Sequence, residues 1–105
     1  MEKENSVLVL GVGPEQGLGV ALCKKFAEEG FRVFGCGRNI ENMKALDKLS
    51  VENGSIEGMV ADVTNPGDVS KLFEEIDKTQ TVLKSVIYNA GNNNASPFLE
   101  MDLAF

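Results

Sequence analysis

Short apolar runs alternate with longer amphipathic segments along the chain. Each apolar run is followed by glycine or polar residues, a pattern typical of strands buried on both faces of a parallel sheet. The runs predict four strands, over residues 7–10, 31–36, 56–61 and 83–88.

Three helices are predicted between these strands. The first covers residues 18–29 and ends at Gly30, and the second covers residues 40–49. Asn65 is expected to cap the third helix, with Pro66 in its first turn. The third helix has the clearest apolar face, with spacings of i, i+3, i+4 and i+7: Val69, Leu72, Phe73 and Ile76.

The resulting order is β-α-β-α-β-α-β. Strands that alternate with helices indicate a parallel sheet with right-handed crossovers, and 105 residues are enough for one domain. The residues after the fourth strand, 92–105, are expected to form a polar loop and the first turn of another helix.

Charge and composition narrow the function. The chain has 16 acidic and 10 basic residues, a net charge of −6, which argues against nucleic acid or an anionic membrane surface as a partner. No run approaches the roughly 20 apolar residues of a membrane span, and we expect a cytosolic protein. Cys23 and Cys36 are expected to be buried or half-buried apolar residues, and we expect no metal site.

Glycines are concentrated between the first strand and the first helix, over residues 11–19. Glycine lets the backbone approach a pyrophosphate, and a helix N-terminus offers unpaired N–H groups. The alternative is a turn that merely needs glycine. The position between strand and helix favours a dinucleotide site.

The ends of the next two strands carry further candidates. Gly37 and Arg38 follow the second strand, where an acidic residue would favour NAD(H); a guanidinium there favours the 2′-phosphate of NADP(H). Asp62 and Val63 follow the third strand and would bind adenine through a carboxylate and a backbone N–H. The alternatives are a solvated Arg38 and an Asp62 that caps the following turn.

The fourth strand ends in Asn89-Ala90-Gly91, where small residues would let a cofactor lie against the sheet. Together with the glycine loop and residues 37–39 and 62–63, this motif resembles the short-chain dehydrogenase/reductase family. The resemblance covers nearly the whole chain but only the first half of a family domain. It implies an incomplete Rossmann-type doubly wound sheet with strand order 3-2-1-4, in which residues 1–105 are the NADP(H)-binding half.

The resemblance also implies roles for individual residues. Residues 17–19 would face the pyrophosphate, Arg38 the 2′-phosphate with help from Asn39, residues 62–63 the adenine, and residues 89–91 the ribose and the central sheet. The residues implied in cofactor binding are Gly11, Gly13, Gly17, Leu18, Gly19, Arg38, Asn39, Asp62, Val63, Asn89, Ala90 and Gly91.

The loop departs from the family pattern in length. Gly13, Gly17 and Gly19 fit Gly-x-x-x-Gly-x-Gly, but the strand ends at Leu10, which makes Gly11 the first glycine. The loop is then two residues longer than usual, which is similar to the divergent enoyl-reductase branch.

The family's catalytic Tyr-x-x-x-Lys pair has no counterpart in this chain. Its single tyrosine, Tyr88, is followed four residues later by Asn92, and we expect Tyr88 to be structural. We therefore expect no catalytic residue in this chain.

Three functions remain open. The first is the NADP(H)-binding portion of an oxidoreductase that transfers hydride between the cofactor and a carbonyl or alcohol. Its expected partner is a missing C-terminal half or, in a homo-oligomer, a second copy of the chain. The alternative is a stand-alone nucleotide-binding or regulatory module without catalysis, which would leave the edge of the fourth strand unpaired. The third is a different parallel α/β protein, such as a flavodoxin-like domain.

Overall fold

The alternation of strands and helices is present in the computed structural model, which describes residues 3–13, 17–49, 51–89 and the backbone of 99–101. The strands are β1 (Asn5–Leu10), β2 (Arg32–Gly37), β3 (Ser55–Val60), β4 (Val82–Tyr88) and β5 (Leu99–Met101). The helices are α1 (Leu18–Glu28), α2 (Ile40–Asp47) and α3 (Pro66–Lys78).

The strands form one sheet in the order β3-β2-β1-β4-β5. The first four are parallel, so the predicted order 3-2-1-4 and the incomplete Rossmann-type fold are confirmed. Because β1 lies between β2 and β4, the chain reverses its direction of travel across the sheet beside the end of β1. Such a reversal is where open α/β sheets bind ligands.

Both faces of the sheet are covered, which explains the unbroken apolar runs. Val7 and Val9 of β1 pack with residues of α1 and α2, whereas Leu8 packs with Leu72 and Ile76 of α3. Successive strand residues point to opposite faces, so consecutive positions in the middle of a strand between two helical layers are apolar.

The expected helix ends are also present. The Asn65 side chain accepts a hydrogen bond from the Asp68 backbone N–H at 3.1 Å, with Pro66 in the first turn. Gly30 follows α1 with a φ of +101°, in the left-handed region that glycine adopts most readily. Both predictions are confirmed.

The prediction for the end of the chain was wrong in one part. Leu99–Met101 is a strand that pairs antiparallel with β4, where a loop and a helical turn were expected. The outer edge of β4 carries N–H and C=O groups that need partners, and an extended segment supplies them whatever its own sequence pattern. The other residues of 92–105 lie outside the described residues.

The opposite edge of the sheet is formed by β3. There the Asp47 carboxylate, from the last turn of α2, accepts a hydrogen bond from the Gly58 backbone N–H at 2.6 Å. A Cβ on Gly58 would collide with the Met43 carbonyl oxygen, so glycine at this position lets α2 pack closely against the edge strand.

Cys23 and Cys36 are fully buried free thiols, as expected, and they belong to the cores on opposite faces of the sheet. Burial raises the pKa of Cys23 to about 12. Burial, with a smaller effect of the Asp68 carboxylate, raises the pKa of Cys36 to about 11.

These thiols predict a loss of stability at alkaline pH. Folding raises both pKa values above the ordinary 9.0, so the stabilising contribution is complete below pH 9.0 and is lost as the pH rises towards the folded values. Urea denaturation at increasing pH should show the free energy of unfolding falling above pH 9.0, by up to about 1.4 kcal/mol per pH unit for each thiol. Cys23→Ala should make this decline shallower; an unchanged slope would contradict the assignment.

Candidate nucleotide-binding site

A cleft of about 380 Å³ lies at the carboxyl ends of the four parallel strands. It is lined by residues at or just beyond each strand end together with the start of α2: Gly11, Val12, Gly13, Cys36, Gly37, Arg38, Asn39, Asn42, Ala61, Asp62, Val63, Thr64, Tyr88 and Asn89. Seven of the predicted cofactor-binding residues are thus brought together: Gly11, Gly13, Arg38, Asn39, Asp62, Val63 and Asn89.

The floor of the cleft is made of backbone. The Val12 N–H donates to the Cys36 carbonyl at 2.8 Å, and the Asn89 N–H donates to the Leu10 carbonyl at 2.9 Å. These bonds continue the sheet pairing beyond the strand ends and hold the glycine-rich loop against its neighbours.

Two glycines permit this close approach. Gly11 has a φ of +79°, and a Cβ there would collide with the Asn89 carbonyl oxygen. A Cβ on Gly37 would collide with the Val12 carbonyl oxygen and would also lie 2.9 Å from the Met43 methyl carbon. The fold itself therefore requires glycine at both positions.

Gly13 is different. Apart from its chain neighbours, a Cβ added there would meet no atom of the described residues within 4 Å, and its φ is not in the left-handed region. The fold does not need glycine at this position, and the missing side chain leaves open space in the cleft. A bare backbone facing open space suits a bulky ligand such as a pyrophosphate.

The start of α1 stands apart from the cleft. Gly17 is the N-cap and makes no side-chain cap, Leu18 is exposed, and a Cβ on Gly19 would lie 2.9 Å from the Val12 Cα. None of the three lines the cleft. The first N–H groups of a helix have no partner within it, so this terminus still offers donors to an anion. The intervening residues 14–16 lie outside the described residues.

Arg38 reaches the cleft from the end of β2. It is exposed, and within the described ranges it makes neither an ion pair nor a hydrogen bond. Arg32, at the start of the same strand, pairs with Glu57 at 3.1 Å and lies 5.2 Å above the Phe34 ring centre. Arg32 is therefore fixed by structural contacts, whereas Arg38 is available beside the cleft.

Asn39 already has a structural partner. Its side-chain oxygen accepts a hydrogen bond from the Asn42 backbone N–H at 2.9 Å and caps α2. The help expected from Asn39 at a 2′-phosphate stays a prediction.

Asp62 is held in the turn that follows β3. Its Oδ1 accepts hydrogen bonds from the Thr64 N–H at 2.9 Å and the Thr64 hydroxyl at 2.7 Å. These two bonds, with a smaller contribution from the Arg38 charge, lower the pKa of Asp62 below its ordinary value. The alternative role, a cap on the turn, is therefore present in the structure, while the carboxylate also faces the cleft.

Asn89 links two strand ends. Its side-chain N–H donates to the Gly11 carbonyl at 3.4 Å, from the end of β4 to the loop after β1. Ala90 and Gly91 lie outside the described residues, and the roles expected of them stay predictions.

Sequence reasoning missed several lining residues, including Val12, Asn42, Thr64 and Tyr88 as a contributor to the cleft. Thr64 had a usable signal, because an Asx turn joins an aspartate to the residue two positions later. Val12 had none, since an apolar residue within a loop does not reveal which backbone groups it presents.

The family model of short chain dehydrogenases matches residues 6–104. The chain belongs to this family of oxidoreductases. It is 35% identical over 104 residues to the NADPH-dependent 1-acyldihydroxyacetone phosphate reductase of Schizosaccharomyces pombe. The aligned residues cover 98% of this chain and 33% of the relative. The family resemblance inferred from the motifs is thereby confirmed.

Two further relatives are similar over most of the chain. Human dehydrogenase/reductase SDR family member 11 is 30% identical, covering 87% of this chain and 36% of the relative. The 3beta-hydroxysteroid dehydrogenase of Mediterraneibacter gnavus is 34% identical, and the aligned residues cover 95% of this chain and 37% of the relative. The chain spans about a third of the length of these curated relatives. No solved structure matches it.

The described ranges lack two kinds of feature. No helix there has the length and apolar character needed to cross a bilayer. No group of three or more histidine, cysteine, aspartate or glutamate residues is arranged there to hold a metal ion.

The glycines of the cleft predict alanine effects of different size on the free energy of unfolding. Gly37→Ala should lower the free energy of unfolding by about 1–3 kcal/mol, because its Cβ collides with backbone that is tied into the sheet. Gly13→Ala should change it by less than about 1 kcal/mol, because the methyl group enters open space. Urea denaturation of both variants measures the difference, and equal losses would contradict the described geometry of the loop.

Proposed function

We propose that this chain is the NADP(H)-binding portion of a short-chain dehydrogenase that transfers hydride between the cofactor and a carbonyl or alcohol substrate. The observation that carries the proposal is Arg38, which lines the cleft without an ion pair in the described part of the chain. The relative from Schizosaccharomyces pombe is named as NADPH-dependent, which supports the same choice of cofactor.

The local charge at the end of β2 supports NADP(H) over NAD(H). Gly37 is buried there and brings no carboxylate that would repel a 2′-phosphate or bind a ribose hydroxyl. The Arg38 guanidinium can donate two parallel hydrogen bonds to that phosphate. Since the chain has a net charge of −6, its overall field does not attract an anion, and affinity must come from such local donors.

The other predicted residues would divide the rest of the cofactor among them. Gly11, Gly13 and the start of α1 at residues 17–19 would bind the pyrophosphate, and Asn39 would assist Arg38. Asp62 and Val63 would bind the adenine. Residues 89–91 would support the ribose beside β1.

The cofactor and the protein would have different roles in the reaction. When bound, NADP(H) supplies or accepts the hydride. The residues of this chain would bind and orient the dinucleotide, since Tyr88 lacks a lysine four positions later and Asn92 stands there. We place the proton-transfer groups in a catalytic half outside residues 1–105, and we place the protein in the cytosol, where two free buried thiols stay reduced.

A nucleotide-binding or regulatory module without catalysis is the second candidate. The pairing of β5 with β4 favours it, because that pairing gives the outer edge of β4 hydrogen-bond partners within this chain. Such a module would bind NADPH as a monomer that unfolds cooperatively without any other chain, whereas a binding portion would need its catalytic half to fold. Sedimentation, urea denaturation and calorimetric titration of the 105-residue chain separate the two.

Calorimetric titration tests the cofactor proposal. We expect the protein to bind NADPH about ten- to a hundredfold more tightly than NADH, because the 2′-phosphate gains charge-assisted hydrogen bonds from Arg38. Arg38→Ala should remove most of this preference by weakening NADPH alone.

Arg32→Ala is the matched control, since it removes the same charge from the opposite end of β2, where the side chain is already paired with Glu57. It should leave the NADPH preference intact. Equal affinity of the wild type for the two cofactors, or an Arg38→Ala variant with the full preference, would overturn the choice of NADP(H).

A further inference from the structure

The turn after β3 leaves one backbone donor free. The Asp62 N–H donates to the Asp68 carboxylate at 2.9 Å, and the Thr64 N–H donates to Asp62 Oδ1 at 2.9 Å. Between them, the Val63 N–H has no partner among the described residues. Asp62, Val63 and Thr64 all line the cleft.

The two oxygens of the Asp62 carboxylate also differ in their hydrogen bonding. Oδ1 receives both hydrogen bonds from Thr64, whereas Oδ2 receives none from the residues that the structure describes. Two bonds to one oxygen fix the rotation of the carboxylate. One acceptor and one donor are therefore left on adjacent residues, Asp62 Oδ2 and the Val63 N–H.

This pair distinguishes between purines. Adenine presents an amino donor beside a ring-nitrogen acceptor, which complements a carboxylate oxygen beside an N–H. Hypoxanthine presents a carbonyl oxygen beside a ring N–H, which reverses the pattern. A carboxylate opposite that carbonyl would be left without a donor, and a group that loses its partner is costly.

Building on the proposed function, we propose that Thr64 is a positioning residue for base selection: its hydroxyl and N–H hold Asp62 Oδ1 and thereby direct Oδ2 at the 6-amino group of adenine. Thr64 acts through Asp62 and need not touch the base. The same two bonds lower the pKa of Asp62 below its ordinary value, so they favour the ionised form that accepts hydrogen bonds.

Thr64 suits a substitution test because it is exposed and its side chain belongs to neither core cluster. Thr64→Val keeps the shape and the backbone N–H but removes the hydroxyl donor. Thr64→Ser restores the hydroxyl and is the matched control. An effect that follows the hydroxyl and not the shape marks positioning and excludes a loss of packing.

The experiment is calorimetric titration with NADPH and with its hypoxanthine analogue, in which the 6-amino group is replaced by oxygen. The wild type should prefer NADPH. Thr64→Val should reduce this preference about three- to tenfold, through weaker NADPH binding and unchanged binding of the analogue, and Thr64→Ser should retain it. Urea denaturation of the three proteins should give the same free energy of unfolding within about 0.5 kcal/mol.

The outcomes separate the two proposals. A wild type that binds neither dinucleotide overturns the proposed function, and this inference with it. A wild type that binds both dinucleotides equally overturns base selection but leaves NADP(H) binding in place. A preference that survives in Thr64→Val overturns the role of Thr64 alone.

Discussion

The candidate site depends on how closely the loop after β1 lies against the end of β2. Val12 donates its N–H to the Cys36 carbonyl, and its own carbonyl oxygen occupies the space that a side chain on Gly37 would need. Because both contacts are made by backbone, rotation of a side chain cannot relieve a misfit. The loop can take this course only where the neighbouring strand ends in glycine, and the cleft exists because it does.

The sheet makes this arrangement rigid. β1 is paired on both sides and covered on both faces, and its central residues Val7, Leu8 and Val9 are almost fully buried. The residues that face the cleft lie at or just beyond the ends of buried strands, so the packing of the core fixes their positions. Arg38 is the exception, since its long exposed side chain lies beyond β2 and is fixed by no ion pair or hydrogen bond among the described residues.

Much of the fold could be predicted from sequence because its local and global signals agree. Asn65 followed by Pro66 is a local signal that favours a helix start, and an unbroken apolar run between amphipathic helices suits a strand buried on both faces. The strand at Leu99–Met101 could not be predicted in this way. It pairs with the backbone groups at the edge of β4, and its own hydrophobic pattern does not indicate a strand. In the site, the turn made by Asp62 was weighed as an alternative and is present, whereas the cap that Asn39 places on α2 was not anticipated; the ligand roles of both residues stay predictions. The hydrogen bonds of the turn and the cap span two or three residues and form before any ligand arrives.

The two sides of the sheet differ in whether further strands can be added. On the β4 side, open backbone groups accept β5. On the β3 side, the Asp47 carboxylate occupies the N–H of Gly58 in the middle of the edge. An incoming strand would have to expel that carboxylate and then place its own carbonyl oxygens beside the displaced negative charge. One bond from a helix thus blocks strand addition at the β3 edge and protects that edge from association with other chains.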